Sequence, residues 1–254
     1  MSDTLAGNPE MYFEKDYPFG KVTISDEETA EGVIRTLAVD GARESACYTD
    51  EGRHFELIFA YTQEFARVLE GSASDRHVLL IGGAGFSVPK YFISRFHTGS
   101  VDVIELHREM YDIAMNYFFL DELYLKYHPD RTGRLKVFFD DGNHYIEERR
   151  DRLLKTKDDS LRYDIILDDA FSGRIPDRGM LSEHTISCIH DILSPGGCYM
   201  INIISPLASY GSMQIALAQS ILKTHFRHVR VSQVDPNRSP AERQNCIIYA
   251  SDTL

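Results

Sequence analysis

His77-Val78-Leu79-Leu80-Ile81-Gly82-Gly83-Ala84-Gly85 is a short apolar run cut off by glycines. Its branched side chains and abrupt end read as a buried strand entering a sharp turn. Val88 to His97 then carries apolar residues at helical spacing. A strand, a glycine turn and a helix make the opening unit of an open α/β sheet. In such a unit the glycines let the backbone approach a ligand, and the helix N-terminus can face a negative group.

Downstream the alternation continues. VDVIEL (101–106), RLKVFFDDG (134–142), YDIILDD (163–169) and GCYMINII (197–204) read as strands. Helical patterns separate them at 108–118, 143–155 and 177–193, and a further helix is expected over 212–225. The last two strands, HVRVSQV (228–234) and NCIIYAS (245–251), have only the polar loop Asp235 to Gln244 between them. That loop has no room for a crossover helix, so the pair is expected to be antiparallel. A mostly parallel seven-stranded sheet ending in an antiparallel hairpin is the arrangement of the Rossmann-like class I methyltransferase fold.

Upstream, residues 1–10 read as a loose tail, and GKVTIS, GVIRTLAVDG and RESACYTD read as a small antiparallel sheet. Arg53 to Glu70 has apolar residues at helical spacing with Gly71 as the stop. We therefore expect a small N-terminal β-domain over 1–52 and a nucleoside-binding domain over 53–254. The 254 residues include 27 Lys and Arg against 39 Asp and Glu, a net charge of −12. Such a chain lacks the basic surface that nucleic-acid binding needs, and its field would steer a cationic substrate. No apolar run is long enough to span a membrane. The start has no secretory pattern, and Cys47, Cys188, Cys198 and Cys246 are scattered. A cytoplasmic protein is the simplest expectation. No histidine or cysteine spacing suggests a metal site.

Four places carry candidate chemistry. Gly82, Gly83 and Gly85 form the turn after the first strand of the series. Glu105, at the end of the next strand, stands where a carboxylate can accept both hydroxyls of a ribose. Val88 occupies the third position of a dinucleotide fingerprint, where glycine is needed, which argues against a nicotinamide cofactor. Asp141 and Gly142 follow the third strand. Asp141 can take the exocyclic amine of adenine, or the DDGN stretch can cap a helix with Asn143. Asp168 and Asp169 end the fourth strand, where open α/β sheets bind ligands. Successive strand residues point to opposite faces. We place Asp169, on the loop side, in the crevice as the proton acceptor, and read Asp168 as a strand-end cap.

In this order the motifs resemble those of the spermidine synthase family. VLLIGGAG resembles its V-L-x-I-G-G-G-D-G-G loop, and VIELHREMYDIAMNYF its V-E-x-D-P-x-V stretch. DDGNHYI resembles x-D-G-x-x-F, LSPGGCYMIN resembles L-x-P-G-G-x-x-x-x-N/Q, and RTLAVDGARESACYTD the family's N-terminal hairpin. The resemblance implies a homodimer using S-adenosylmethionine or its decarboxylated form, with Glu105 on the ribose, Asp141 on adenine and Asp169 catalytic. Tyr61 and Ser172 would line the acceptor pocket. The departures concern charge. Gly85 stands at the family's glycine-loop Asp, Ser172 at the second Asp of its polyamine loop, Gln63 at the acid of its Y-H-E, and Glu44 at its usual Gln. Loss of these groups weakens the case for a polyamine, whose desolvated amines each need a partner. The simplest expectation is methyl transfer to a small acceptor, such as an amine. The alternatives are aminopropyl transfer and a non-catalytic nucleoside-binding scaffold.

Overall fold

The computed structural model describes residues 10–71, 75–172, 175–176, 179–208 and 212–253, with 171–172 and 175–176 described by backbone alone. Its first unit is an antiparallel sheet in the order β1 (Glu10–Tyr17), β2 (Gly20–Thr29), β3 (Gly32–Val39), β4 (Ala42–Tyr48). The β3–β4 turn shows the local cause. Asp40 and Gly41 take φ of +48° and +76°, the two positive values of a type I′ hairpin turn. The Asp40 carboxylate then accepts from the amide of Lys21 at 2.9 Å.

The remainder runs α1 (Ala60–Glu70), β5 (His77–Ile81), α2 (Ser87–Arg95), β6 (Ser100–Glu105), α3 (Arg108–Tyr117), α4 (Leu120–Tyr127), α5 (Pro129–Thr132), β7 (Leu135–Phe139) and α6 (Gly142–Thr156). It continues with β8 (Tyr163–Asp168), a two-residue ribbon β9 (Phe171–Ser172) and β10 (Ile175–Pro176), α7 (Glu183–Ile192), β11 (Leu193–Ser205), α8 (Met213–His225), β12 (His228–Gln233) and β13 (Gln244–Ser251). The large sheet has the order β12-β13-β11-β8-β5-β6-β7. β7, β6, β5, β8 and β11 are mutually parallel, and β13 lies antiparallel between β11 and β12. This is the seven-stranded sheet with a terminal antiparallel hairpin expected from the sequence.

Both faces of that sheet are buried. Leu79 and Ile81 of β5 pack into one core cluster, and Val78 and Leu80 into the other. The two-residue alternation sends neighbours to opposite faces, which is why the strand is apolar throughout. A third cluster joins Val22, Ile24, Leu37 and Cys47 to Met110, Ile113 and Phe118, so the small sheet packs on α3 and its C-terminal end. The four cysteines are buried and free. Among the described residues no helix is long and apolar enough to cross a membrane.

Several elements differ from expectation. β1 pairs along β2, yet its side chains are largely exposed, so it lacks the apolar signature of a strand. Helix α1 starts at Ala60 rather than Arg53. Residues 53–59 are irregular: the Arg53 guanidinium stacks on Tyr48 at 3.5 Å, and Phe55 packs on Tyr127. Their apolar spacing serves separate contacts rather than one helix face. Helix α7 starts at Glu183 because Ser182 caps it, its hydroxyl accepting from the Thr185 amide at 3.0 Å.

Candidate active site

The sheet order changes direction at β5. From β5 the chain proceeds outward to β6 and β7, then returns to β8 on the other side. Adjacent connections therefore diverge at the carboxyl ends of β5 and β8, the place where open α/β sheets hold ligands. A cleft of about 1280 Å³ opens there, lined by the ends of β5 to β8 and β11, by β4, and by the loop between β12 and β13.

The glycine turn forms one wall. Gly82 has φ +92°, and a Cβ there would lie 2.7 Å from the carbonyl oxygen of Asp169. Only glycine allows both the left-handed backbone and this approach. Gly83 and Ala84 point their amides at one oxygen of Glu105, Oε2, at 2.9 and 3.0 Å. The other oxygen, Oε1, accepts from the His107 amide at 2.9 Å. Glu105 is 6% exposed. It lines the cleft, and it also organises the turn, a role the sequence reading did not assign. A carboxylate offers about four lone-pair sites; three are taken by these amides, which leaves room for one hydroxyl donor rather than the two expected.

Gly85 differs from expectation. It is buried, and a Cβ there would lie 2.5 Å from Ser45 Oγ and 3.3 Å from Phe118. It packs behind the cleft wall, against β4, instead of lining the cleft. The contact is reinforced by Ser45 and Ser87, whose hydroxyls lie 2.9 Å apart.

Asp141 caps α6. Its Oδ1 accepts from the amides of Asn143 and His144 at 2.9 and 3.1 Å. The capping reading is realised, with Asp141 rather than Asn143 as the cap. Asp141 also lines the cleft together with Gly142, and a Cβ on Gly142 would meet Ile81 at 2.8 Å. Beside them Asp140 pairs with His144 at 2.8 Å, and His144 reaches Glu148 at 3.6 Å. Asp140, just before the helix, and His144 and Glu148, one turn apart on it, lie close enough together to hold a cation. Exposed acidic groups of this kind are common without one.

Asp168 and Asp169 point to different surroundings. Asp168 is 2% exposed and is held by the Tyr199 hydroxyl at 2.6 Å and the Ala170 amide at 3.1 Å. Asp169 turns into the cleft. Its Oδ2 accepts from the Tyr61 hydroxyl and its Oδ1 from Asn202 Nδ2, each at 2.8 Å. Asn202 is oriented in turn by Asn245, whose Nδ2 donates to its carbonyl oxygen at 3.0 Å. Burial raises the Asp169 pKa to about 7. The bonds from Asn202 and Tyr61 oppose that rise, and the Asp168 charge adds to it. Burial, with Asp169 alongside, pushes the Tyr61 phenol well above its ordinary value, so this phenol keeps its proton as a donor. The side chain of Ser172 lies outside the described residues.

Two groups were missed. Glu44 faces the cleft from β4 and makes no hydrogen bond among the described residues. Burial, then Asp169 and Glu105, lift its carboxyl to about 7. Its signal was visible as an acid where the resembled family has Gln. Asn202, the orienting amide, was legible as a lone polar residue in an apolar strand.

No protein-family model matches the chain. Over 201 residues the chain is 24% identical to the polyamine aminopropyltransferase of Vibrio vulnificus, a match covering 79% of this chain and 61% of that protein. The chain thus spans less than two thirds of that relative's length. Among solved structures it is similar to a probable spermidine synthase from Corynebacterium glutamicum, with a TM-score of 0.69 and 21% identity over 97% of this chain and 81% of that one. It is also similar to human methyltransferase-like protein 13 in complex with SAH, with a TM-score of 0.59 and 18% identity over 76% of this chain and 82% of the other. The fold is therefore the one that spermidine synthases and class I methyltransferases share.

Proposed function

We propose that this spermidine synthase-like chain is a transferase that moves an alkyl group from an adenosyl sulfonium donor to a small amine, with Asp169 taking the proton. The carrying observation is Asp169 itself: a carboxyl in the cleft at the switch point, fixed by Tyr61 and Asn202, with a pKa of about 7. The adenosyl group would lie toward β5, β6 and β7. There Gly82, Gly83, Glu105, Asp141 and Gly142 supply close backbone approach, hydroxyl acceptors and an acceptor for the adenine amine. Tyr61 and Ser172 belong to the acceptor side.

The chemistry needs little from the protein beyond alignment. The acceptor nitrogen's lone pair forms the new N–C bond as the C–S bond breaks, and that electron pair leaves on sulfur, giving a neutral thioether. The nitrogen then carries one proton too many, and Asp169 accepts it. A base with a pKa near neutrality is suited to this step. No metal is required by this scheme.

Methyl transfer from S-adenosylmethionine is the simplest form. Glu44 favours a second form, aminopropyl transfer from the decarboxylated donor. With Gly85 set behind the wall, Glu44 supplies negative charge in the cleft that would oppose a donor carboxylate and attract a donor ammonium. The resemblance further carries a cytoplasmic homodimer of two domains, 1–52 and 53–254, with neither nucleic acid nor membrane as partner.

The test is calorimetric titration with S-adenosylmethionine, its decarboxylated form and methylthioadenosine, followed by mass detection of alkylated amines. Preference for the first donor supports methyl transfer, and preference for the second supports aminopropyl transfer. Binding without turnover across an amine panel would leave the scaffold reading, and absence of binding would sink the transferase.

A further inference from the structure

Charge varies along the cleft. Along its floor, from the glycine turn to β8, stand Glu44, Glu105 and Asp169. Toward β13 it carries cations as well: Arg238 and Arg243, on the loop from β12 to β13, line the same cleft together with Asp235, and Arg43 lines it from β4 beside Glu44. The sheet order fixes the sequence of these groups. The nucleoside wall belongs to β5, β6 and β7, Asp169 to β8, Asn202 to β11, and the arginine loop leads into β13. β8 and β13 are separated by β11 alone, so roughly 10 Å of cleft lies between Asp169 and the start of β13.

The arginine loop is braced. Gln233 Nε2 donates to the carbonyls of Asp235 and Arg238, each at 2.7 Å, and Gln244 Nε2 donates to that of Ser239 at 2.9 Å. The carbonyl of Pro240 accepts from the amides of Leu207 and Ala208 at 2.8 and 2.9 Å, tying the loop to the chain beyond β11. Arg238 Nε approaches Asp235 at 3.5 Å, with both side chains largely exposed. An exposed pair of that kind is weak, and the two Nη groups make no hydrogen bond among the described residues. Arg43 lies over the Phe59 ring at 5.1 Å, and Phe59 packs on Tyr61, the partner of Asp169.

A plain diamine fits this arrangement poorly. Its first ammonium would meet Asp169 and Glu44, but toward β13 its second would have to compete with Arg238 for Asp235, with Arg243 on the same loop. A guanidinium instead matches the planar, bidentate geometry of a carboxylate. We propose that the acceptor is an amino acid: its reacting amine sits at Asp169 and Glu44, and its carboxylate is held at the β12–β13 loop by Arg238. This rests on the transferase reading and names its substrate class.

The test loads the whole chain with methylthioadenosine and titrates γ-aminobutyrate, putrescine and butyrate calorimetrically. γ-Aminobutyrate is expected to bind about tenfold or more tightly than putrescine, because one probe matches both ends of the cleft and the other only one. Arg238→Gln should bring that ratio to about one, and Arg43→Gln should leave it in place, while methylthioadenosine binding is unchanged in both. Both side chains are at the rim, and a thermal midpoint for each variant confirms folding. Putrescine binding as tightly as γ-aminobutyrate, or a ratio that Arg238→Gln does not change, overturns the proposal. So does a result in which the variants weaken S-adenosylmethionine but leave the acceptor ratio intact, since the rim would then serve the donor. Failure of methylthioadenosine to bind overturns the transferase reading itself. Its binding together with transfer to diamines overturns only the substrate class.

Discussion

The Tyr61 phenol donates to Asp169 Oδ2 at 2.8 Å, so the first helix after the small sheet supports a carboxylate at the end of β8. The bond stabilises the charged form and opposes the burial that lifts the Asp169 pKa to about 7. As the base must be ionised to accept a proton, kcat/KM should fall below pH of about 7 and level off above it. Tyr61→Phe removes a stabiliser of the charged form, so this acid limb should move to higher pH. Asp169→Asn should reduce transfer by about a hundredfold or more while methylthioadenosine still binds. A pH–rate series on the three proteins checks the set, and an unmoved limb in Tyr61→Phe would remove Asp169 as the titrating base.

Glu44 should make the protein less stable as pH rises. Its folded pKa of about 7 lies above the ordinary value of 4.5, so between these limits the folded state binds more protons than the unfolded state. Stability from this group is then present at low pH and lost as pH climbs toward neutrality. Glu44→Gln keeps the shape and removes the titration. It should leave stability near pH 4 unchanged and raise it at pH 8 by about 1 to 2 kcal/mol, after discounting for partial exposure. Urea unfolding at the two pH values measures this. Equal effects at both would show that Glu44 acts by packing.

How the site was legible differs from residue to residue. The strand before Gly82 announces itself because both its faces are buried, so all its side chains are apolar. Asp169 and Glu105 could be placed because strand ends are fixed by the same pattern. Gly85 was misplaced because the motif gives its position along the chain, whereas its direction is set by Ser45, forty residues upstream on another sheet. Glu44 and the arginine loop reach the cleft only through tertiary packing, which no local period encodes. Strand β1 escaped for the opposite reason: its pairing uses backbone bonds, and its exposed side chains carry little pattern.

Glu105 joins two functions that substitution should remove together. Three amides, those of Gly83, Ala84 and His107, donate to its carboxylate. Glu105→Gln would turn an NH₂ group toward amides that need an acceptor. With Glu105 buried, the unpaired donors should cost about 2 kcal/mol of stability. On the proposed reading, which sets the nucleoside against the backbone of this wall, the loosened turn should also weaken methylthioadenosine by tenfold or more. Urea midpoints and calorimetry separate the effects. A normal nucleoside affinity in a destabilised variant would confine Glu105 to the turn.

Restoring the resembled family's acid at residue 85 should not restore its chemistry. A Cβ on Gly85 would lie 2.5 Å from Ser45 Oγ and 2.8 Å from Ser45 Cβ. Ser45 is itself buried and linked to Ser87, so the clash cannot be relieved by turning one hydroxyl. Gly85→Asp should therefore destabilise by about 1 to 3 kcal/mol, plus the cost of a carboxylate buried away from the cleft. Ser45→Gly should recover part of that loss when combined with it, giving a favourable coupling between the two positions. Because residue 85 packs behind the wall, Gly85→Asp should leave the preference between S-adenosylmethionine and its decarboxylated form unchanged. A shift toward the decarboxylated donor would mean that the new carboxylate reaches the cleft. The glycine turn would then have to open toward Glu44, breaking the bonds from Gly83 and Ala84 to Glu105.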